Sequence, residues 1–265
     1  MLARWFRKKN WGDDLNPILI KYISGEYPKW VKLYKRRDFL QSKYSEPVYV
    51  VIGSILANSS DRNAIIWGTG FLRFTDKVRW KPKKVCAVRG PLTRLKLLEQ
   101  GIKCPKIYGD PALLYPKFYT PDMKKKYILG IIPHYVDRDN TFIENFSGIS
   151  DVKIIDITDD INNVVKDICS CKKIASSSLH GIIAADAYGI PSVRIKFSDK
   201  VLGRGFKFID YFMSVGRCYR EPLIVQKDTT LKDILREFHN YKINIDLNKL
   251  WDTCPFRKNN DYSRF

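Results

Sequence analysis

Short apolar runs alternate with amphipathic stretches along this chain, and a turn-forming residue stands at nearly every junction between them. This alternation is typical of repeated β-α units around a mainly parallel sheet. The fold class expected from the pattern is therefore α/β. In the first half of the chain the pattern predicts strands at residues 3–6, 48–52, 64–67, 85–88 and 106–108.

A second set of units follows a charged, proline-containing stretch at residues 120–126, whose composition is that of a linker. Strands are predicted there at residues 127–132, 152–157, 173–176 and 192–195. A helix is predicted by apolar residues that recur at helical spacing, namely Ile161, Val164, Val165 and Ile168.

The two sets of units predict two Rossmann-like domains, residues 1–120 and 121–265, with the last segment able to pack back on the first domain. Two such domains leave a cleft between them. The carboxyl ends of the strands would face this cleft, and open α/β sheets bind ligands at those ends. The sequence therefore predicts that ligand-binding and catalytic residues lie in the turns that follow strands.

Composition adds limits to this picture. With 265 residues, 45% of them hydrophobic, the chain can bury a full core. No apolar run reaches the roughly 18 to 20 residues of a membrane-spanning helix, and the first residues lack the apolar region of a secretory signal. We therefore expect a cytoplasmic protein. The six cysteines lack the paired spacing of a zinc site, so no metal is expected.

The chain is strongly basic, with 47 Lys and Arg against 28 Asp and Glu and a formal charge of +19. Three explanations remain open: a lysine-rich solvated surface, attraction to anionic lipid headgroups, or nucleic-acid binding. The sequence contains no helix-turn-helix, zinc spacing or RNA-binding aromatic motif, so nucleic acid is the least favoured partner. Small basic clusters lie at residues 7–9, 35–37, 83–84 and 124–126.

The most informative segment, residues 176–193, has the pattern strand, turn, helix, turn, strand. Ser177 or Ser178 can cap the helix, which places His180 in its first turn. A helix N-terminus attracts a phosphate or carboxylate, and an adjacent imidazole can transfer protons. The plainer alternative, that His180 only hydrogen-bonds a facing loop, stays open.

Two further turns carry candidate groups. Arg89 follows a predicted strand, where its planar fork could hold a phosphate, or could bridge two loops. In the turn at residues 10–19, Gly12 lets backbone approach a ligand. Asp13 or Asp14 caps the next helix, or a carboxylate there accepts a proton from a sugar hydroxyl. The loop at Gly68 and Gly70 lacks the third glycine of a dinucleotide fingerprint, so no nicotinamide or flavin cofactor is expected.

In their order and spacing, these segments resemble the polysaccharide pyruvyl transferase family over about residues 8–215. The resemblance is carried by Asn10-Trp11-Gly12-Asp13, Gly53-Ser54, Trp67-Gly68-Thr69-Gly70, Val88-Arg89-Gly90-Pro91, Gly109-Asp110-Pro111, and Ser177-Ser178-Leu179-His180-Gly181 with Gly189-Ile190-Pro191. Some members of the family place a basic residue where this chain has Ser178. Phosphate neutralisation would then depend on Arg89, with Arg194 or Arg204.

The resemblance implies a two-domain arrangement like that of GT-B glycosyltransferases, and phosphoenolpyruvate as co-substrate without a cofactor or metal. Pyruvate would be joined as a ketal to two hydroxyls of a sugar in a bacterial surface polysaccharide, or in its polyprenyl-diphosphate-linked precursor, and phosphate would be released. His180 would be the catalytic acid and base, and Asp13 would activate a hydroxyl. Phosphoenolpyruvate would contact Arg89, Ser177, Ser178, Leu179 and Gly181. The acceptor would contact Asn10, Gly12, Gly68, Asp110, Arg204 and Lys207.

The basic charge fits this reaction, because donor, phosphate product and a diphospho-lipid acceptor are all anionic. We therefore expect the protein to lie peripherally on the inner face of the cytoplasmic membrane. The main alternative is a nucleotide-sugar-dependent glycosyltransferase of the same architecture, since it would also place basic residues and helix N-termini at a diphosphate.

Overall fold

The computed structural model describes residues 1–32, 45–59 and 61–258. The basic cluster at 35–37 and the C-terminal residues 259–265 lie outside the described residues. Within them, no helix is long and apolar enough to cross a bilayer.

The first half of the chain forms a five-stranded sheet in the order β2-β1-β3-β4-β5, and every strand pair in it is parallel. Its strands are β1 Leu2–Arg4, β2 Lys29–Trp30, β3 Val48–Val50, β4 Ala64–Trp67 and β5 Lys84–Ala87. The connecting helices are α1 Trp11–Ser24, α2 Leu56–Ser59 and α3 Pro91–Leu98, followed by a 3-10 helix, Pro111–Lys117.

The second half forms another five-stranded parallel sheet, in the order β10-β9-β8-β6-β7. Its strands are β6 Tyr127–Ile132, β7 Val152–Ile154, β8 Cys171–Ser176, β9 Ser192–Lys196 and β10 Leu223–Ile224. Its helices are α4 Ile161–Cys169, α5 Leu179–Ala187, α6 Phe206–Ser214, α7 Leu231–Arg236 and α8 Leu247–Asp252, with a 3-10 helix at Thr141–Phe146.

The predicted α/β class is confirmed, and the two parallel sheets are consistent with Rossmann-like units. The prediction of a strand at 106–108 is wrong, because that segment makes only an isolated bridge between Val88 and Tyr108. The GT-B-like arrangement and the domain boundaries stay predictions.

Side chains from the two halves are joined by buried contacts. The backbone N–H of Trp11, at the start of α1, donates to the Ile157 carbonyl, 2.8 Å away. Arg89 forms a fully buried ion pair with Asp210 on α6. The C-terminal helix α8 packs on the first sheet, where the Leu250 carbonyl accepts the indole N–H of Trp67 at 3.0 Å. These contacts bring the turns after β1 and β8 together.

Candidate active site

A pocket of about 390 Å³ lies where turns of the two halves meet. Nearly all of its wall follows the carboxyl ends of strands, the position at which open α/β sheets bind ligands. From the first half the wall includes Phe6, Asn10, Asp13, Ser54, Ile55, Asn58 and Leu72. From the second half it includes His134, Tyr135, Val136, Ser178, Leu179, His180, Lys200, Leu202 and Lys207.

Three of these side chains form a hydrogen-bonded chain across the junction. Nδ1 of His180 lies 2.9 Å from Oδ1 of Asn10. The Asn10 amide nitrogen donates to the Asp13 carboxylate at 2.5 Å, and to the Lys8 carbonyl at 2.8 Å. The two acceptors fix the position of the amide nitrogen, so Oδ1 faces His180 and accepts a hydrogen bond from Nδ1–H. Nε2 is then the unprotonated ring nitrogen, and it has no hydrogen-bond partner among the described residues.

The local sequence explains how this chain is assembled. Asn10, and not Asp13 or Asp14 as predicted, is the N-cap of α1, and its side chain accepts the backbone N–H of Asp13. Gly12 lies beneath the imidazole, since a Cβ there would be 2.2 Å from Cγ of His180. The glycine was predicted to admit a ligand. In the structure, the space that the missing side chain leaves is occupied by the His180 ring.

Burial tunes the protonation of this group. It lowers the pKa of His180 to about 3, and the nearby charges of Lys207 and Arg89 act in the same direction. A histidine with this pKa is neutral at pH 7, and its free Nε2 is a base. Burial also raises the pKa of Asp13 to about 7, against the hydrogen bond from Asn10. Asp13 can therefore hold or release a proton near neutral pH.

Lys207 provides the positive charge of the pocket. Its side chain is buried, with 8% exposed, yet its ammonium makes no hydrogen bond or ion pair with any described residue. Burial lowers the pKa of Lys207 to about 8, and the charge of Arg89 adds to this effect. A buried ammonium without a partner is costly unless an anion arrives. The arrangement is that of an anion site.

His134 is a pocket residue that the sequence reasoning missed. It stands just after β6, and its Nδ1 accepts the backbone N–H of Val136 at 3.3 Å. The proton therefore lies on Nε2, which makes this ring a donor. Burial lowers the pKa of His134 to about 3, so it donates as a neutral group. Its position directly after a predicted strand was the available signal.

Arg89 does not line the pocket. Its guanidinium is fully buried and donates to Asp210 at 3.2 Å, to the Ser54 hydroxyl at 2.6 Å and to the Phe71 carbonyl at 2.6 Å. The sequence left two roles open for Arg89, phosphate binding or a bridge between two loops, and the observed contacts are those of a bridge. Ser54 does line the pocket, so Arg89 acts on it through that hydroxyl and through its charge.

Of the residues predicted to bind phosphoenolpyruvate around His180, two line the pocket and two do not. Ser178 and Leu179 line the pocket. Ser178 stands at the N-cap of α5, but its hydroxyl makes no capping bond, contrary to the prediction. Ser177 instead accepts the backbone N–H of His134 at 2.8 Å. Gly181 packs α5 on β8, since a Cβ there would lie 2.4 Å from the Ser176 hydroxyl.

Four residues expected to contact the acceptor do not line this pocket, and one of them is Gly12 beneath the imidazole. Gly68 is packed against Pro111, where a Cβ would lie 2.1 Å from the ring. Asp110 is buried, caps the following 3-10 helix, and leaves Oδ2 without a hydrogen bond. Neither position supports contact with a sugar in this pocket. Arg204 is exposed and lines a neighbouring pocket.

No group of three or more His, Cys, Asp or Glu side chains that could hold a metal occurs in the described part of the chain. The pocket brings together a neutral imidazole, a carboxyl group with a raised pKa, and an ammonium without a hydrogen bond or ion pair to a described residue.

Comparisons with known proteins identify the family of this chain. The family model for polysaccharide pyruvyl transferase matches residues 4–199, which is more than half of the chain. An uncharacterised protein of Acanthamoeba polyphaga mimivirus is 39% identical over 178 residues, which cover 64% of this chain and 61% of that protein. Succinoglycan biosynthesis protein ExoV of Rhizobium meliloti (strain 1021) is 26% identical over 219 residues, which cover 80% of this chain and 63% of that protein.

The chain thus spans less than two thirds of the length of these curated relatives. No solved structure matches it.

Proposed function

The chain belongs to the polysaccharide pyruvyl transferase family, and from this premise we propose that it transfers pyruvate from phosphoenolpyruvate to two hydroxyls of a sugar, forming a ketal and releasing phosphate. The sugar belongs to a surface polysaccharide or its lipid-linked precursor. One observation carries the proposal: a single pocket holds the free Nε2 of His180, the Asp13 carboxyl group, and the unpaired ammonium of Lys207.

Phosphoenolpyruvate binds next to Lys207 in this proposal. The ammonium makes no hydrogen bond or ion pair with a described residue, although the nearby Asp13 carboxyl group acts on its pKa, so the phosphate or carboxylate of the donor can pair with it. The hydroxyl of Ser178 has no hydrogen bond of its own, and it stands at the N-terminus of α5, where an anion is favoured. The neutral Nε2–H of His134 donates a further hydrogen bond. Arg89 contributes by holding Ser54 in place.

The reaction needs two proton transfers. The acceptor hydroxyls lose two protons; one ends on the methylene carbon of the enol, which becomes a methyl group, and the other ends on the departing phosphate. Attack of the first hydroxyl on the central carbon forms one C–O bond, and attack of the second replaces the C–O bond to phosphate. Asp13 takes a proton from a hydroxyl, and His180 carries protons between hydroxyl, carbon and phosphate.

Donor binding prepares His180 for this task. Burial lowers the pKa of His180 to about 3, and the positive charges of Lys207 and Arg89 add to this effect. A trianion placed beside these charges offsets them, so the pKa of His180 rises, although its burial continues to lower it. The imidazole can then accept a proton from a hydroxyl and return it within one cycle.

The nature of the donor is the decisive test. Purified protein is incubated with a panel of acceptor sugars and either phosphoenolpyruvate or nucleotide sugars, and the release of phosphate is measured against the release of nucleotide. We expect phosphate release that depends on both phosphoenolpyruvate and an acceptor. Nucleotide release from a nucleotide sugar would instead establish the rival glycosyltransferase.

A matched pair of variants tests the catalytic group. His180→Gln is expected to lower the rate of ketal formation by about 10²-fold to 10⁴-fold, the range of general acid-base catalysis. His239→Gln, at an exposed position outside the pocket, is expected to retain full activity. Ketal formation at the normal rate by a folded His180→Gln protein would remove His180 from the mechanism.

Peripheral membrane association is a separate part of the proposal, supported by the charge of +19. At low salt the protein should sediment with vesicles containing phosphatidylserine and remain free with neutral vesicles. Equal partition between the two vesicle types would contradict an electrostatic attachment.

A further inference from the structure

A second concave space of about 580 Å³ adjoins the candidate active site. Leu202 lines both spaces, and the consecutive residues Ser177 and Ser178 each line one of them. The second space lies at the carboxyl end of β9 and is closed on one side by Arg73 from the first half of the chain. A ligand could therefore extend from one space into the other.

Basic side chains dominate the wall of this second space, which we call the basic pocket. They are Arg73, Arg194, Lys196 and Arg204, against two acidic residues in the same wall, Asp199 and Glu221. Lys196 is paired with Asp199 at 2.5 Å. The three arginines have no carboxylate partner among the described residues.

Arg194 is held in a fixed position without being neutralised. Its guanidinium carbon lies 4.1 Å from the ring centroid of Phe208, and Nη1 donates to the Tyr219 hydroxyl at 2.9 Å. Ring stacking and one neutral hydrogen bond leave most of its N–H donors available. Its charge also lowers the pKa of Lys207, so the two pockets are electrostatically coupled.

The loop that carries Arg204 has an unusual backbone. Arg204 has a φ of +44°, and no other non-glycine residue in the described ranges has a positive φ. The preceding Gly203 packs so closely on the Leu72 carbonyl that a Cβ would lie 2.4 Å from that oxygen. Side chains disfavour this left-handed conformation, and strain of this kind concentrates at ligand sites. The loop thus places Arg204 in the basic pocket, whose wall also includes Arg73 from the first half of the chain.

From these contacts we infer that the basic pocket binds a phosphate or diphosphate group of the acceptor, with the sugar to be modified lying between this group and His180. The inference rests on the proposed function. Unpaired arginines recognise phosphate oxygens bidentately, and the volume is within the range of pockets for a sugar phosphate. A diphosphate of a lipid-linked sugar and that of a nucleotide-linked sugar share this chemistry.

The test measures binding of inorganic pyrophosphate to the protein saturated with phosphoenolpyruvate, without an acceptor. Arg194→Gln combined with Arg204→Asn removes two charges, and Asn tolerates the left-handed backbone at 204. We expect pyrophosphate affinity to fall at least tenfold in this double variant. Arg236→Gln, an exposed change outside both pockets, should alter it by less than twofold.

Unchanged pyrophosphate affinity in the folded double variant would overturn the inference. So would loss of pyrophosphate binding in Lys207→Met, compared with the wild-type protein without phosphoenolpyruvate, because the anion would then occupy the catalytic pocket. Phosphoenolpyruvate binding is measured separately by titration of each protein. If the wild-type protein does not bind phosphoenolpyruvate, the proposed function fails, and pyrophosphate binding in its absence still tests the basic pocket.

Competition experiments distinguish the two sources of the diphosphate. Uridine diphosphate and farnesyl diphosphate are each used to displace pyrophosphate from the wild-type protein. Tighter binding of the prenyl compound assigns the pocket to a lipid-linked acceptor, and tighter binding of the nucleotide assigns it to a nucleotide-linked one. Displacement by neither compound would contradict a diphosphate site.

Discussion

Asn10 from the first half of the chain accepts a hydrogen bond from His180 of the second half, with 2.9 Å between Oδ1 and Nδ1. The same amide donates to Asp13. One side chain therefore sets the tautomer of the imidazole and connects it to the carboxyl group. This candidate catalytic arrangement requires contact between the two halves.

Replacing Asn10 by Ser should separate its two roles. Serine is as good an N-cap for α1 as asparagine but is too short to reach the imidazole. We expect the rate of ketal formation to fall by about 10²-fold, because the ring loses its tautomer and orientation, while the melting temperature changes little. Asn145→Ser, at an exposed site bonded to the Gln226 carbonyl, serves as the control. Normal turnover by Asn10→Ser would show that the amide does not orient His180.

Gly12→Ala should inactivate the protein without unfolding it. Alanine is favoured over glycine inside a helix by about 1 kcal/mol, but its methyl group would displace the His180 ring. Gly189→Ala is the reciprocal control: its surroundings are open, but its φ of +66° strains alanine. We expect activity to fall in Gly12→Ala and thermal stability to fall in Gly189→Ala. Equal activity of the two proteins would contradict the close approach of Gly12 to the ring.

Lys207→Met should abolish donor binding and stabilise the free protein. Removing a buried, unpaired ammonium relieves its desolvation cost, so the melting temperature should rise. Affinity for phosphoenolpyruvate, measured by calorimetric titration, should fall at least a hundredfold. Lys232→Met on the exposed side of α7 provides the control for lost positive charge. A Lys207→Met protein that binds phosphoenolpyruvate normally would refute the anion site.

Arg89→Met should destabilise the protein by about 3–5 kcal/mol, because it leaves the Asp210 carboxylate buried without its cation. Adding Asp210→Asn should restore part of the free energy of unfolding, measured by denaturant titration. If Arg89 only positions its neighbours, this double variant will bind phosphoenolpyruvate almost as well as the wild-type protein. Complete loss of binding in the stable double variant would instead support the predicted direct contact with the donor.

The raised pKa of Asp13 gives stability a specific pH dependence. Between its unfolded pKa near 4 and its folded pKa of about 7, the folded state holds a proton that the unfolded state releases, so stability is lost as pH rises. Asp13→Asn should match the wild-type protein at pH 4 and exceed it at pH 8, by a free energy of unfolding on the order of 4 kcal/mol. The lowered pKa of His180 makes stability rise with pH instead. This contribution is present in both proteins. If the free energies of unfolding of Asp13→Asn and the wild-type protein differed by the same amount at pH 4 and pH 8, the raised pKa of Asp13 would be refuted.

Local sequence patterns were sufficient for most of the sheet. The strands Ala64–Trp67 and Tyr127–Ile132 agree with the predicted bounds, because apolar runs there are delimited by polar or turn-forming residues. The edge strands Lys29–Trp30 and Leu223–Ile224 were not predicted. Each has two residues, which is too short for a periodic signal, and pairing with a neighbouring strand defines it.

For the site, the sequence by itself determined that His180 opens a helix and that a polar turn at Asn10 starts another, since capping and turn preferences act over a few residues. Only the tertiary structure decided that these two residues meet, although they are 170 positions apart, and that Arg89 is buried against Asp210, 121 positions away. Such partners depend on how the two halves pack, because any of several charged side chains could have satisfied the same local pattern.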